Sequence, residues 1–179
     1  GTGESHSNWG LVGAARQSLF RGGLWSGLDA LTLSAAGSFI LLVEGYVGET
    51  GTGNYNINVQ PVTSALPQSL VLGSTVSDAI ILTGSESKYA FKLTADSRLY
   101  FDSLTNNSNL NWSLTGPAGK VVDRRSFTRS DDHFGISNPV LDLLAGDYGL
   151  KVDGSGHATG PVSFRPFDLD ARSGEPLVG

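Results

Sequence analysis

The sequence predicts an all-β chain of antiparallel β-sandwich or jelly-roll repeats with a period of about 106 residues. Three observations predict it. Short runs alternate apolar and polar residues with period two, the spacing at which side chains share one face of a strand. Glycine is frequent, at 24 residues, while charged residues make up only 16%, a balance that suits short strands and tight turns better than helices. Finally, the chain matches itself.

The self-match has four parts in the same order. Asn8-Trp9-Gly10-Leu11-Val12-Gly13 falls on Asn111-Trp112-Ser113-Leu114-Thr115-Gly116. Ala36 to Gly45 falls on Ala145 to Gly154, Gly53 to Ile57 on Gly160 to Phe164, and Ala65 to Gly73 on Ala171 to Gly179. The separations stay between 103 and 109 residues, with the drift assigned to loops, chiefly Val121 to Asn138. A period near 100 residues is a single-domain size, so the units read as beads rather than as a solenoid. Residues 1–65 are then the later part of one β-sandwich repeat, 66–170 a complete repeat, and 171–179 the opening strand of a third.

Strands follow in order through the complete repeat. Tyr89, Phe91 and Leu93 share one face. Leu99 and Phe101 continue it after a turn at Ala95-Asp96, read as a hairpin. Leu110, Trp112 and Leu114 alternate up to the turn Gly116-Pro117-Ala118-Gly119. Val140 to Leu144 leads through Ala145-Gly146-Asp147 into Tyr148, Leu150 and Val152, where the glycine supplies a positive φ. Val162, Phe164 and Phe167 close the unit. The one helix-like stretch, Gly13 to Phe20, is too short to carry weight. Trp9 and Trp112 are expected in the core, as are the pairs Phe39/Tyr148, Leu41/Leu150 and Val43/Val152.

Composition excludes several classes. The net charge is -5 and the only adjacent basic pair is Arg124-Arg125, so a phosphate backbone meets little attraction and no nucleic acid is expected. No cysteine is present, which removes disulfides and thiolate metal sites. The longest apolar run, Phe39 to Val43, is strand length, so no helical membrane insertion is expected. With no methionine even at position 1, the chain reads as an internal or processed fragment.

The strings Ser97 to Leu104, Asn109 to Gly119 and Leu144 to Val152 resemble the bacterial pre-peptidase C-terminal domain and its repeated relatives in large secreted or surface proteins. The Ala145 to Val152 segment, and Ala36 to Val43 before it, correspond to that family's late Gly-x-Tyr-x-Leu-x-Val strand. The resemblance implies a sandwich of the jelly-roll or galactose-binding kind and an extracellular or bacterial cell-surface location. It also implies roles in attachment or spacing rather than catalysis. Related collagenase modules bind calcium through acidic residues near the domain start, where this chain has only Asp78 and Glu86.

Candidate sites are few. Asp123, Asp131 and Asp132, with His133 beside them, put several oxygen donors into what reads as one loop, and a hard cation such as calcium takes such ligands. The alternative is a solvated loop, because the spacing is not that of a known calcium loop and the first repeat lacks the acids. Trp25, Tyr46 and Tyr100 are aromatic candidates for a binding surface; Trp25 has no aromatic counterpart near Ser137. Asp153, Ser155 and His157 offer triad residue types, but three such residues within five positions do not make a triad. No cofactor is required.

The reading is therefore a non-catalytic structural or adhesive repeat of a secreted or surface protein, self-associating head to tail or resting against neighbouring repeats. The alternative is a carbohydrate- or protein-binding module appended to a secreted enzyme, meeting an extracellular polysaccharide or protein surface. Residues 1–65 contain nothing equivalent to Ser74 to Leu104. They should therefore present a bare apolar face and open strand edges, and the tail 171–179 is one candidate to fill them.

Overall fold

The structure, a computed structural model, describes residues 7–24, 28, 30–45, 48, 54–62, 65–131 and 138–171. Among these described residues the regular elements are all β apart from one short 3-10 turn. The chain divides into two compact units, Gly1–Pro61 and Val62–Gly179.

The first unit holds β1 (Asn8–Val12), β2 (Ser18–Gly23) and β3 (Ile40–Glu44), an antiparallel sheet in the order β2-β1-β3. The β1–β2 turn closes by Gly13 N–H to Gln17 O at 3.0 Å and Arg16 N–H to Gly13 O at 2.9 Å. Arg16 takes a left-handed φ of 60° there. Trp9 packs on Phe20 of the neighbouring strand with ring centroids 4.7 Å apart. Leu19 and Phe20 lie in a strand, so the Gly13 to Phe20 stretch is no helix.

The second unit contains β4 (Gln68–Ser69), β5 (Val76–Ile80), β6 (Glu86–Leu93), β7 (Ser97–Ser103), β8 (Leu110–Gly116), β9 (Gly119–Ser126), the turn η1 (Phe127–Arg129), β10 (Val140–Leu143), β11 (Gly146–Gly154) and β12 (Gly160–Asp168). They form a five-stranded sheet, β4-β6-β11-β8-β9, and a four-stranded sheet, β10-β7-β12-β5. All pairs are antiparallel except β4 with β6, which is parallel, so the larger sheet is mixed.

Both sheets contribute to one core. Phe101 of β7 stacks on Trp112 of β8 at 4.1 Å and on Phe164 of β12 at 5.0 Å, and Tyr89 of β6 meets Phe164 edge-on at 5.4 Å. Every residue expected to face inward from β6, β7, β8 and β11 is buried. The Trp112 indole N–H donates to Ser130 Oγ at 2.7 Å, and Ser130 Oγ donates to Ser126 O at 2.8 Å. The one polar atom of the indole is thereby satisfied inside the core.

Three expected details differ. The turn at Ala95-Asp96 is no hairpin: β6 and β7 belong to different sheets, and the turn carries the chain from one layer to the other. The same holds for β10 and β11 around Gly146, whose φ is 147°. Alternation places both strands' apolar faces toward one core and is blind to which side of it each strand lies on. Gly116 to Gly119 is a true two-residue hairpin loop between β8 and β9. Phe167 lies on the closing strand β12, as expected, and is half-buried because Val162, Phe164 and Pro166 hold the inward positions. Phe167 instead lies under the Arg165 guanidinium at 4.4 Å. Lastly, β9 runs to Ser126, so Asp123 lies in a strand and not in a loop, with Val122 buried beside it.

One strand pairing recurs in the two units. In the first, Trp9 pairs with Val43, Leu11 with Leu41 and Asn8 with Glu44. In the second, Trp112 pairs with Val152, Leu114 with Leu150 and Asn111 with Asp153. On the other side, Leu11 pairs with Phe20 and Leu114 with Val122. The strand orders β2-β1-β3 and β9-β8-β11 therefore correspond and the β1–β3 and β8–β11 registers match, whereas the register shift on the other side falls between Leu11 and Val12 in the first unit and on either side of Leu114 in the second.

Candidate functional site

The polar candidates are occupied by structural work. Asp131 Oδ2 accepts the Ser103 N–H at 3.2 Å, and its backbone carbonyl accepts the Tyr100 hydroxyl at 3.4 Å. Asp123 pairs with Lys120 at 2.9 Å, three residues back on β9. Asp132 and His133 lie outside the described residues. Among the described residues no group of three or more His, Asp or Glu is placed to hold a metal ion. The two acids near the start of the complete unit are also committed. Asp78 accepts the Tyr89 hydroxyl at 2.5 Å, and Glu86 pairs with Lys88 at 2.7 Å and Lys151 at 3.4 Å.

Asp153 and Ser155 belong to a charged network on the five-stranded sheet. Ser155 Oγ accepts Asn111 Nδ2 at 2.7 Å and Arg124 Nη2 at 3.3 Å, while Asp153 faces Lys151 at 3.1 Å and Arg124 at 3.4 Å. A serine held as an acceptor by an amide and a guanidinium is a structural tie; an activated nucleophile needs a base as its proton acceptor.

Of the aromatic candidates, Tyr100 is half-buried on β7 opposite Val140 and Phe167. Burial, then the charges of Asp131 and Asp102, push its phenol up. Trp25 and Tyr46 lie outside the described residues.

A cleft beside β7, β10 and the segment just after β12 is lined by Asp96, Arg98, Asp142 and Asp170. Arg98 Nη2 donates to Asp170 Oδ1 at 2.7 Å, and the Arg98 backbone N–H donates to Asp170 Oδ2 at 2.8 Å. These bonds pin the segment after β12 to β7.

Among the described residues, a run of exposed apolar side chains on one strand lies in the first unit. β3 is an edge of its sheet, and Ile40, Leu41 and Leu42 are exposed at 60, 37 and 42%. Leu31 and Leu33 are exposed as well. Leu41 is expected in a core but is exposed, and Trp9, Phe39 and Val43 are only half-buried, whereas the counterpart Leu150 is 1% exposed. An apolar strand is expected on this segment, and alternation does not say which edge of a sheet it occupies. The signal was present in the unbroken run Ile40-Leu41-Leu42-Val43, apolar on both faces, as in strands covered on both sides.

No protein-family model matches the chain, and no curated protein matches it either. Among solved structures, the chain is weakly similar to the following two. One is the pre-peptidase C-terminal domain of a collagenase from Bacillus anthracis, at 13% identity and a TM-score of 0.42, covering 61% of this chain and 99% of that one. The other is a periplasmic inhibitor of g-type lysozyme from Salmonella Typhimurium, at 16% identity and a TM-score of 0.38, covering 55% of this chain and 95% of that one.

Proposed function

We propose that the chain is a non-catalytic, protein-binding module of a secreted or cell-surface protein, and that it takes its partner along the sheet of residues 8–44. The observation that carries this reading is the exposed run Ile40 to Leu42 on an edge strand. An unpaired strand edge lined by apolar side chains offers main-chain hydrogen bonds for affinity and side-chain pockets for specificity. The polar clusters supply no competing chemistry, since each described carboxylate in them is tied to a neighbour.

A tandem arrangement of β-sandwich repeats with a period of about 106 residues belongs to the same reading, supported by the common strand order β2-β1-β3 and β9-β8-β11 and by the matching register of β1–β3 and β8–β11. In that arrangement the chain also serves as a structural or adhesive spacer able to associate with its own kind. The resemblance of Ser97 to Gly119 and Leu144 to Val152 to the pre-peptidase C-terminal domain favours a place outside the cell. A polysaccharide partner would need Trp25, Tyr46 and Tyr100 on one face.

The test is to immobilise the full chain, and separately its Leu41→Asp variant, and expose both to the secreted proteins of the source organism. Partners retained by the wild type and lost by the variant support the reading. An equal catch on both surfaces, or none, refutes it.

A further inference from the structure

We infer that the edge of β3 accepts an antiparallel strand of one stated chemistry: alternating Tyr, Phe and Leu, with small or basic residues between, in the register by which β6 adds to β11. This rests on the protein-binding reading and names the partner segment for it.

The argument is internal to the molecule. The first unit's sheet has two edges, and its counterpart in the second unit treats them differently. β2 corresponds to β9, which is itself an edge. β3 corresponds to β11, the middle strand of five, with β6 and then β4 beyond it. Among the described residues, one edge is open in both units and the other is open in the first unit alone.

The sequences of the edges agree. β9 carries Lys120, Asp123, Arg124 and Arg125, and its register shifts twice against β8. β4 is only two residues long, and β2 carries Arg21 and a register shift against β1. Charges, brevity and bulges are the devices that keep strand edges from pairing. β3 has a single charge, Glu44 at its end, which pairs with Arg21. Its pairing with β1 runs unshifted over all five residues. It is built as an interior strand.

The occupant follows from β6. There Phe91 lies opposite Tyr148, Tyr89 opposite Leu150 and Ser87 opposite Val152, with Phe91 and Tyr148 stacked at 5.1 Å. Carried onto β3, the incoming strand sets a phenylalanine against Phe39, a tyrosine against Leu41 and a small residue against Val43. The tail 171–179, whose structure lies largely outside the described residues, is a poor candidate. Its counterpart is the segment of β4, which pairs in parallel with β6 and never meets β11.

The probe is a synthetic peptide of residues 85–95, with a scrambled peptide as control, added to the full chain. Saturable binding is expected, weakened at least tenfold by Leu41→Asp and absent for the scrambled sequence. Because the chain has no cysteine, register is read by disulfide capture. A peptide with Tyr89→Cys, activated as its mixed disulfide with thionitrobenzoate, should couple to a Leu41→Cys chain, releasing that thiolate, at least tenfold faster than to an Ile40→Cys chain. Should Leu41→Asp fail to fold, the capture rates decide. No binding by the folded wild type, or equal capture at positions 40 and 41, overturns the inference. So does self-association of the chain with which the peptide does not compete. If the peptide fails while secreted proteins still bind through Leu41, only the identity of the strand falls, and the protein-binding reading stands.

Discussion

The indole of Trp112 lies parallel to the ring of Phe101, with centroids 4.1 Å apart and planes 9° from one another. One comes from each sheet, so this contact joins the two layers. Trp112→Ala should cost about 3–5 kcal/mol, from lost burial and the cavity left behind. Ser130→Ala should cost about 1–3 kcal/mol, because it strands the buried indole N–H. Urea unfolding of the full chain measures both, and a Ser130→Ala midpoint equal to the wild type would contradict the second.

Gly116 and Gly13 occupy matching turns but should respond differently to a methyl group. At Gly116 an added Cβ would lie 2.3 Å from Tyr148 Cε1, a buried ring stacked on Phe91. At Gly13 it would meet the end of the Gln17 side chain at 2.7 Å, which can swing away. Gly116→Ala should therefore destabilise by about 1–3 kcal/mol through overpacking. Gly13→Ala should leave the melting profile almost unchanged. Comparable losses from both would refute the distinction.

Asp78 and Tyr89 set a pH window. Burial pushes the Asp78 carboxyl up, but hydrogen bonds from Tyr89, Ser87 and the Ala79 N–H outweigh it and hold it below its ordinary 3.8. Burial first, then the hydrogen bond to Asp78 and its charge, push the Tyr89 phenol far above its ordinary 10.0. A depressed carboxylate contributes stability above its unfolded value and loses it as pH falls through the folded one. A raised phenol contributes below its unfolded value and loses it as pH climbs toward the folded one. Stability should decline below about pH 4 and above about pH 10. Tyr89→Phe should flatten the alkaline decline and Asp78→Asn the acid one. Denaturation midpoints across pH check this, and an alkaline decline undiminished in Tyr89→Phe would count against it.

Calcium should bind weakly if at all at Asp123 and Asp131, since one is paired with Lys120 and the other caps the Ser103 N–H. Titration calorimetry should show no micromolar site, and added calcium should not raise the melting temperature. A micromolar heat signal lost in Asp131→Asn would establish a cation site there.

The strand faces were legible in the sequence because period two is a local property. Tyr89, Phe91, Leu93, Leu110, Trp112, Leu114, Tyr148, Leu150 and Val152 all point where their alternation put them. Sheet membership was not legible. Ala95-Asp96 and Gly146 look like hairpin turns, yet each connects two sheets, and only long-range pairing separates the cases. Ser130 was missed as the partner of Trp112 because a serine 18 residues away carries no pattern. The run Ile40 to Val43 was visible as strand-forming, but its place at an edge became clear only beside β11.

The claim that β3 is an interior-type strand standing at an open edge is tested most directly by amide hydrogen exchange on the full chain. β3 and β11 should differ: Ile40 to Glu44 should exchange on the order of tenfold or more faster than Leu150 to Asp153. The β3 amides should slow once the residue 85–95 peptide is added. Equal protection of the two strands in the chain alone, or β3 exchange unmoved by saturating peptide, would contradict it.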